Sequence, residues 1–267
     1  LDLEQLRRRT SIKWREYPPD VLPLWVAEMD VMVAEPIVQA MTDAIGAGDV
    51  GYPYGAGYAE AYAAFAAERW GWDGAGSAHT AMVADVMTGV VEVLQLVSEP
   101  GDPVVVNPPV YPPFFDFIGH VERTVVKAPL GDDGHLDLES LEAAFIHAGA
   151  ERRPVTYLLC NPHNPTAAVH TAEELAGVVA LADTYGVRVI VDEIHGPLAP
   201  QGYVPYLSVP GSGRAFSIVS ASKAWNLAGV KAALVVAGHE AGDDLARLPE
   251  VVSHGPSHLG AIAHTAA

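Results

Sequence analysis

Short apolar runs alternate with amphipathic stretches along most of this chain. Runs rich in valine and isoleucine predict strands near Thr80–Met87, Pro103–Asn107, Arg123–Ala128, Val155–Cys160, Val187–Asp192, Phe216–Ser220 and Ala232–Ala237. Between them, helical spacing predicts helices near Gly89–Ser98, Pro113–Gly119, Leu138–Ala148, Ala172–Tyr185 and Asp243–Leu248. Two further helices are predicted upstream, Pro36–Ile45 with proline in its first turn and Tyr58–Trp70. Several strands lack polar alternation, as expected when both faces of a sheet are covered. The pattern is that of an α/β domain with a mostly parallel seven-stranded sheet under helices on both sides. Residues 1–35 read as an N-terminal arm, too apolar at Leu24–Met29 to be a free tail. Residues 36–252 read as the main domain, and Ser253–Ala267 as the start of a long helix.

Composition narrows the class. With 267 residues, half of them hydrophobic, the chain can bury a large core and is not a disordered segment. Its formal net charge of −18 argues against nucleic-acid and anionic-membrane partners. Cys160 is the single cysteine, so no intrachain disulfide forms and no cysteine-based zinc cluster is expected. The sequence shows no membrane-length apolar run and no leader, and the expected location is the cytoplasm. The three C-terminal histidines, His254, His258 and His264, have no acidic partner at ligand spacing, and no metal site is expected.

In open α/β sheets ligands bind at the carboxyl ends of the strands. Four segments collect there: Thr88-Gly89-Val90 before a helix, Asn161-Pro162-His163-Asn164-Pro165-Thr166, Asp192-Glu193-Ile194-His195, and Ser220-Ala221-Ser222-Lys223. Each is weak alone, because strand-end aspartates cap helices, Asn-Pro makes turns and lysines are solvated. In this order they supply a lysine amine, a carboxylate, an anion cradle, hydroxyl donors and an aromatic at Tyr111. That is the donor set a pyridoxal phosphate (PLP) site requires.

The stretches LPLWVAEMD (22–30), GYPYG (51–55), VMTGVVEVL (86–94), PVYPPF (109–114), LLCNPHNPT (158–166), VDEIHGPL (191–198) and SASKAWNLAGVKAAL (220–234) carry a family likeness. The chain resembles fold-type I pyridoxal-phosphate enzymes of the class I/II aminotransferase superfamily, and within it the MalY/PatB group of cystathionine β-lyases. The resemblance implies the aspartate aminotransferase-like large domain, with Lys223 as Schiff-base lysine and Asp192 as partner of the ring nitrogen. It implies Asn164 and His195 near the ring oxygen and Tyr111 stacked on the ring. The phosphate would take Gly89, Val90 and Val91 at the helix start with the Ser220 and Ser222 hydroxyls. Tyr52 would reach the phosphate site of the second subunit of a homodimer, and Trp25 and Ala27 would line the substrate entrance.

The implied activity is carbon–sulfur β-elimination from L-cystathionine or a related cysteine S-conjugate. A class I/II aminotransferase, or a cofactor-binding regulatory member without catalysis, are the alternatives. Two departures stand out. Ala167 replaces the usual glycine after Asn-Pro-Thr, which is expected to alter the turn. Relatives carry roughly a further third of chain as a C-terminal small domain, which supplies the arginine for the substrate carboxylate, and no residue here matches it.

Overall fold

The computed structural model describes residues 1–151 and 153–267. Seven strands, β1 (Thr80–Val83), β2 (Pro103–Val106), β3 (Thr124–Lys127), β4 (Thr156–Cys160), β5 (Arg188–Asp192), β6 (Phe216–Val219) and β7 (Ala233–Ala237), form one sheet in the order β1-β7-β6-β5-β4-β2-β3. The pairs from β3 through β2, β4 and β5 to β6 are parallel, whereas β7 runs antiparallel to both β6 and β1. The mostly parallel sheet expected from the sequence is therefore the sheet found.

Seven helices of eight residues or more accompany it among the described residues: α1 (Glu35–Ala47), α2 (Gly57–Trp70), α3 (Val86–Val97), α4 (Pro113–His120), α5 (Leu138–Gly149), α6 (Ala172–Tyr185) and α7 (His258–Thr265). Successive strand residues feed opposite cores, which is why the strands read as unbroken apolar runs. Val104, Val106, Leu158, Ile190 and Ile218 pack with Val90, Val93 and Leu94 of α3 and Phe114 and Ile118 of α4. Val105, Tyr157, Leu159, Val189 and Val191 pack on the other face with Leu141 and Phe145 of α5 and Leu175 and Val178 of α6.

Three boundaries differ from expectation. The first strand ends at Val83 rather than Met87, because Asp85 caps α3 by accepting the Thr88 amide at 2.8 Å and starts the helix three residues early. The helix expected over Asp243–Leu248 is a single turn, Gly242–Leu245. The C-terminal stretch is broken by Gly255-Pro256 into a turn at Glu250–Ser253 and helix α7. Ala263 of α7 packs with Ile37 of α1 and with Leu227 and Ala221 of the loop after β6.

The N-terminal arm is tied to itself at one point and to the main domain at another. Asp30 accepts from Lys13 Nζ at 2.8 Å and from Trp14 Nε1 at 3.0 Å. Farther along, the side-chain amide of Asn226 pairs with the Met29 backbone in both directions, accepting from its N–H at 2.8 Å and donating to its carbonyl at 2.9 Å. In the loop after β4, Ala167 takes the left-handed backbone that glycine favours. Ala167 adopts φ 61°, its N–H donates to His163 O at 2.8 Å, and His163 N–H donates to Ala168 O at 2.8 Å. This backbone carries the steric cost an L side chain meets in the left-handed region.

Ala167→Gly is accordingly expected to stabilise the chain by about 1 kcal/mol, read from the urea unfolding midpoint. An unchanged or lower midpoint would mean that the turn carries no such strain.

Candidate active site

The carboxyl ends of β4, β5 and β6 open into a cavity of about 600 Å³. Trp25, Ala27, Tyr111, Asn164, Asp192, His195, Ser220, Ser222 and Lys223 all line it. Most of the residues singled out in the sequence, scattered over two hundred positions, thus meet in one place. Adjacent parallel strands bring them there, with Cys160 in register with Asp192 and Asp192 with Ile218.

Asp192 is the most constrained member, 4% exposed. Its Oδ1 accepts the Ile194 amide at 3.0 Å, and among the described residues no donor reaches the other oxygen. Burial pushes its pKa from the ordinary 3.8 up to about 6, and the neighbouring Glu193 carboxylate adds to the rise. The Ile194 amide and the Lys223 charge pull the other way. With one oxygen bonded by the chain and the other left to the cavity, this carboxylate can take a cationic or N–H partner there. Glu193 is bonded elsewhere: it is buried against Tyr203 Oη at 2.7 Å, the Tyr206 amide at 2.8 Å and the Ser217 hydroxyl, which fixes the strand end from behind.

The groups around Asp192 are set by similar local causes. Burial lowers the pKa of His195 and the nearby Lys223 charge lowers it further, favouring the neutral imidazole. The Tyr111 ring is held edge-on by Phe114, with centroids 5.9 Å apart, and burial with the Asp192 and Asp85 charges raises its hydroxyl pKa. Trp25 stands against Tyr17 at 5.7 Å on the arm side. The Asn226–Met29 pairing described above ties that arm to the loop that bears Lys223.

The anion cradle differs from expectation. Gly89, Val90 and Val91 do not line the cavity; they lie in the second turn of α3, where amides are consumed by the helix, as Gly89 N–H is by Asp85 O at 2.9 Å. Gly89 serves packing instead, since a Cβ there would stand 3.0 Å from Ile218 Cγ2 and 3.1 Å from Val83 Cγ2. The amides without helical acceptors are one turn earlier, at Val86 and Met87, and both residues line the cavity. Ser220 lines it too, but its hydroxyl donates to Ala232 O at 2.8 Å, so its proton is spent inside the loop.

The sequence reading missed Lys231. It lines the same end of the cavity, with Nζ 2.6 Å from Asp85 Oδ2. Burial alone would raise the Asp85 pKa, but this bond and the Thr88 amide outweigh it and the carboxyl lies below its ordinary value. Lys231 sits eight residues past Lys223, and that second cation close after a strand-end lysine was the available signal. Tyr52 lies outside the cavity, 83% exposed, with its ring edge-on to His254.

These observations fit a group that brings an N–H cation for Asp192, an aldehyde for Lys223 and a phosphate for the α3 start. Sequence and fold comparisons give the family. Residues 19–267 match the family described as aminotransferase class I and II, and the chain belongs to that family. It is 59% identical, over its full length and 67% of the relative, to a Mycobacterium tuberculosis protein named "Putative cystathionine beta-lyase". It is 34% identical to a cystathionine beta-lyase of Corynebacterium glutamicum, over 98% of this chain and 70% of that one. A crystal structure named as a "putative plp-dependent beta-cystathionase" of Corynebacterium diphtheriae superposes with a TM-score of 0.91 at 33% identity, over all of this chain and 70% of the other.

The raised Asp192 pKa has a testable sign. The folded chain without cofactor holds this proton more tightly than the unfolded chain, so ionising Asp192 costs stability as pH rises from about 4 to about 6. A shift of two units corresponds to roughly 3 kcal/mol. Urea unfolding of Asp192→Asn is expected to lack that fall relative to the unmodified chain; parallel pH profiles would show that burial does not strain this carboxylate.

Proposed function

We propose that the chain is a pyridoxal-phosphate-dependent carbon–sulfur β-lyase, cleaving L-cystathionine or a related cysteine S-conjugate to a thiol, pyruvate and ammonia. The observation that carries the proposal is the meeting of Lys223, the under-bonded buried Asp192 and Tyr111 in one cavity whose far end presents the α3 amides. In this reading Lys223 takes the cofactor aldehyde, Asp192 the ring nitrogen, Asn164 and His195 the ring oxygen, and Tyr111 the ring face. Ser222, Lys231 and the Val86 and Met87 amides take the phosphate. The relatives named for cystathionine cleavage support the lyase outcome over the aminotransferase one.

What the cofactor supplies when bound is an electron sink for the pair left at the substrate Cα. The chain's residues do the rest. Lys223 Nζ takes the Cα proton as general base, at the carboxyl edge of β6 where the Ser220–Ala232 bond fixes its loop. Asp192 keeps the ring nitrogen protonated, and its desolvation strengthens that interaction. The thiolate leaves from Cβ, and water releases pyruvate and ammonia from the remaining three-carbon fragment. Trp25 and Ala27 close the entrance side, held there by the Asn226–Met29 pair.

The same reading places the chain in the cytoplasm as a homodimer, with Tyr52 serving the site of the second copy. Tyr52 and Tyr54 are both fully or nearly fully exposed, which supports a partner against that face. No helix among the described residues is long and apolar enough to cross a membrane.

Incubated with pyridoxal phosphate and L-cystathionine, and no keto acid, the protein is expected to release pyruvate over many turnovers while its visible cofactor absorbance persists. Lys223→Ala is expected to lose both the absorbance and the turnover. A single conversion to the pyridoxamine form without pyruvate would make it an aminotransferase, and survival of both signals in Lys223→Ala would remove that lysine from the site.

A further inference from the structure

Behind the loop that carries Asn164, three segments converge on a group of side chains that the cavity does not use. A tight turn after β3, closed by Gly131 N–H on His135 O at 2.9 Å, presents His135. The end of the loop after β4 presents His170. The first turn of α6 presents Glu174, whose Oε2 accepts the Thr171 amide at 2.6 Å in a capping box. His135 Nδ1 lies 3.0 Å from Glu174 Oε1, and the two histidine rings stand 5.8 Å apart. One ligand atom from each of His135, His170 and Glu174 lies within 4.8 Å of the others.

His170 makes this more than an ion pair. It is 1% exposed, and neither ring nitrogen has a hydrogen-bond partner. An imidazole buried with both nitrogens unmet is costly, and such a group calls for a partner. The nearby His163, its ring centroid 5.9 Å away, makes no hydrogen bond to it: its Nε2 is engaged with Pro109 O at 2.9 Å and its Nδ1 is itself unpartnered.

We propose that His135, His170 and Glu174 form a binding site for a divalent metal of the zinc class. Two imidazoles and a carboxylate are a donor set zinc takes, and bonds of about 2.0–2.1 Å would put ligand atoms about 3.4 Å apart. The His135–Glu174 pair already stands near that separation, and His170, whose ligand atom lies within 4.8 Å of theirs, would have to move closer as the ion binds. Glu174 is pre-positioned by its capping bond, and the His135 and Glu174 side chains keep 34% and 18% exposure, so solvent can supply a fourth ligand. The ion would tie the turn after β3, the loop after β4 and the start of α6 together. It would thereby brace the loop that holds Asn164 in the cavity, as a structural ion rather than a participant in chemistry.

The test uses the full protein loaded with pyridoxal phosphate and stripped of metal by chelation. Zinc is expected to bind at one ion per chain, survive desalting and raise the unfolding temperature. Cobalt in its place is expected to show the visible bands of a low-symmetry nitrogen–oxygen site. Glu174→Gln keeps the capping bond and His170→Phe fills the buried space; each is expected to weaken zinc by about a hundredfold or more, beyond the loss from removing an outer-shell partner. Metal-free circular dichroism checks that both variants fold, and if His170→Phe does not, Glu174→Gln decides alone. Substoichiometric zinc in the unmodified protein, or undiminished zinc in the folded variants, would overturn the site.

Discussion

A carboxylate buried at the end of a central strand needs partners for both oxygens, and Asp192 takes one from the chain and leaves the other to the cavity. Its place in β5 is dictated by the sheet: Cys160 and Ile218 flank it in register, Glu193 is locked behind it, and a single backbone amide reaches it. The oxygen left to the cavity gives it its character, because a protonated ring nitrogen is a partner that would fit it. The other groups are arranged around that position. Tyr111 is held edge-on by Phe114, and the loop bearing Lys223 is held by the Ser220–Ala232 and Asn226–Met29 bonds.

Placement of those groups depends on two linkages remote from the carboxylate. Asn226, itself in left-handed backbone at φ 59°, bonds the N-terminal arm to the loop bearing Lys223, so the arm's Trp25 and Ala27 are part of the cavity wall. Asp85 performs two tasks at the opposite end. It caps α3 and it holds Lys231, which concentrates one negative and one positive group beside the unbonded Val86 and Met87 amides. A phosphate arriving there would compete with Asp85 for Lys231, so the cradle is charge-balanced before any anion enters.

Strand identity was legible because valine-rich runs covered on two faces leave an unmistakable pattern, and the motifs at their carboxyl ends named most of the cavity. Helix starts were less legible. The expected start of α3 at Gly89 followed the glycine, whereas Asp85 sets it, and the candidate anion amides moved by one turn in consequence. Gly89 is explained by the methyl groups of Ile218, Val83 and Val235 pressed against the helix, a long-range contact no local pattern reveals. The His135–His170–Glu174 group was missed for the same reason, since its members are brought together from separate loops, whereas Lys231 had a local signal in its closeness to Lys223. Ala167 stands at φ 61° in a turn closed by two hydrogen bonds, a left-handed position that the residue type does not announce.

The central claim is that Asp192 keeps a cationic nitrogen beside it. The direct measurement is the nitrogen-15 chemical shift of ring-labelled pyridoxal phosphate bound to this protein, followed from neutral to mildly alkaline pH. The account predicts a protonated ring nitrogen throughout, and loss of that proton in Asp192→Ala. An unprotonated nitrogen in the unmodified protein at neutral pH would contradict it.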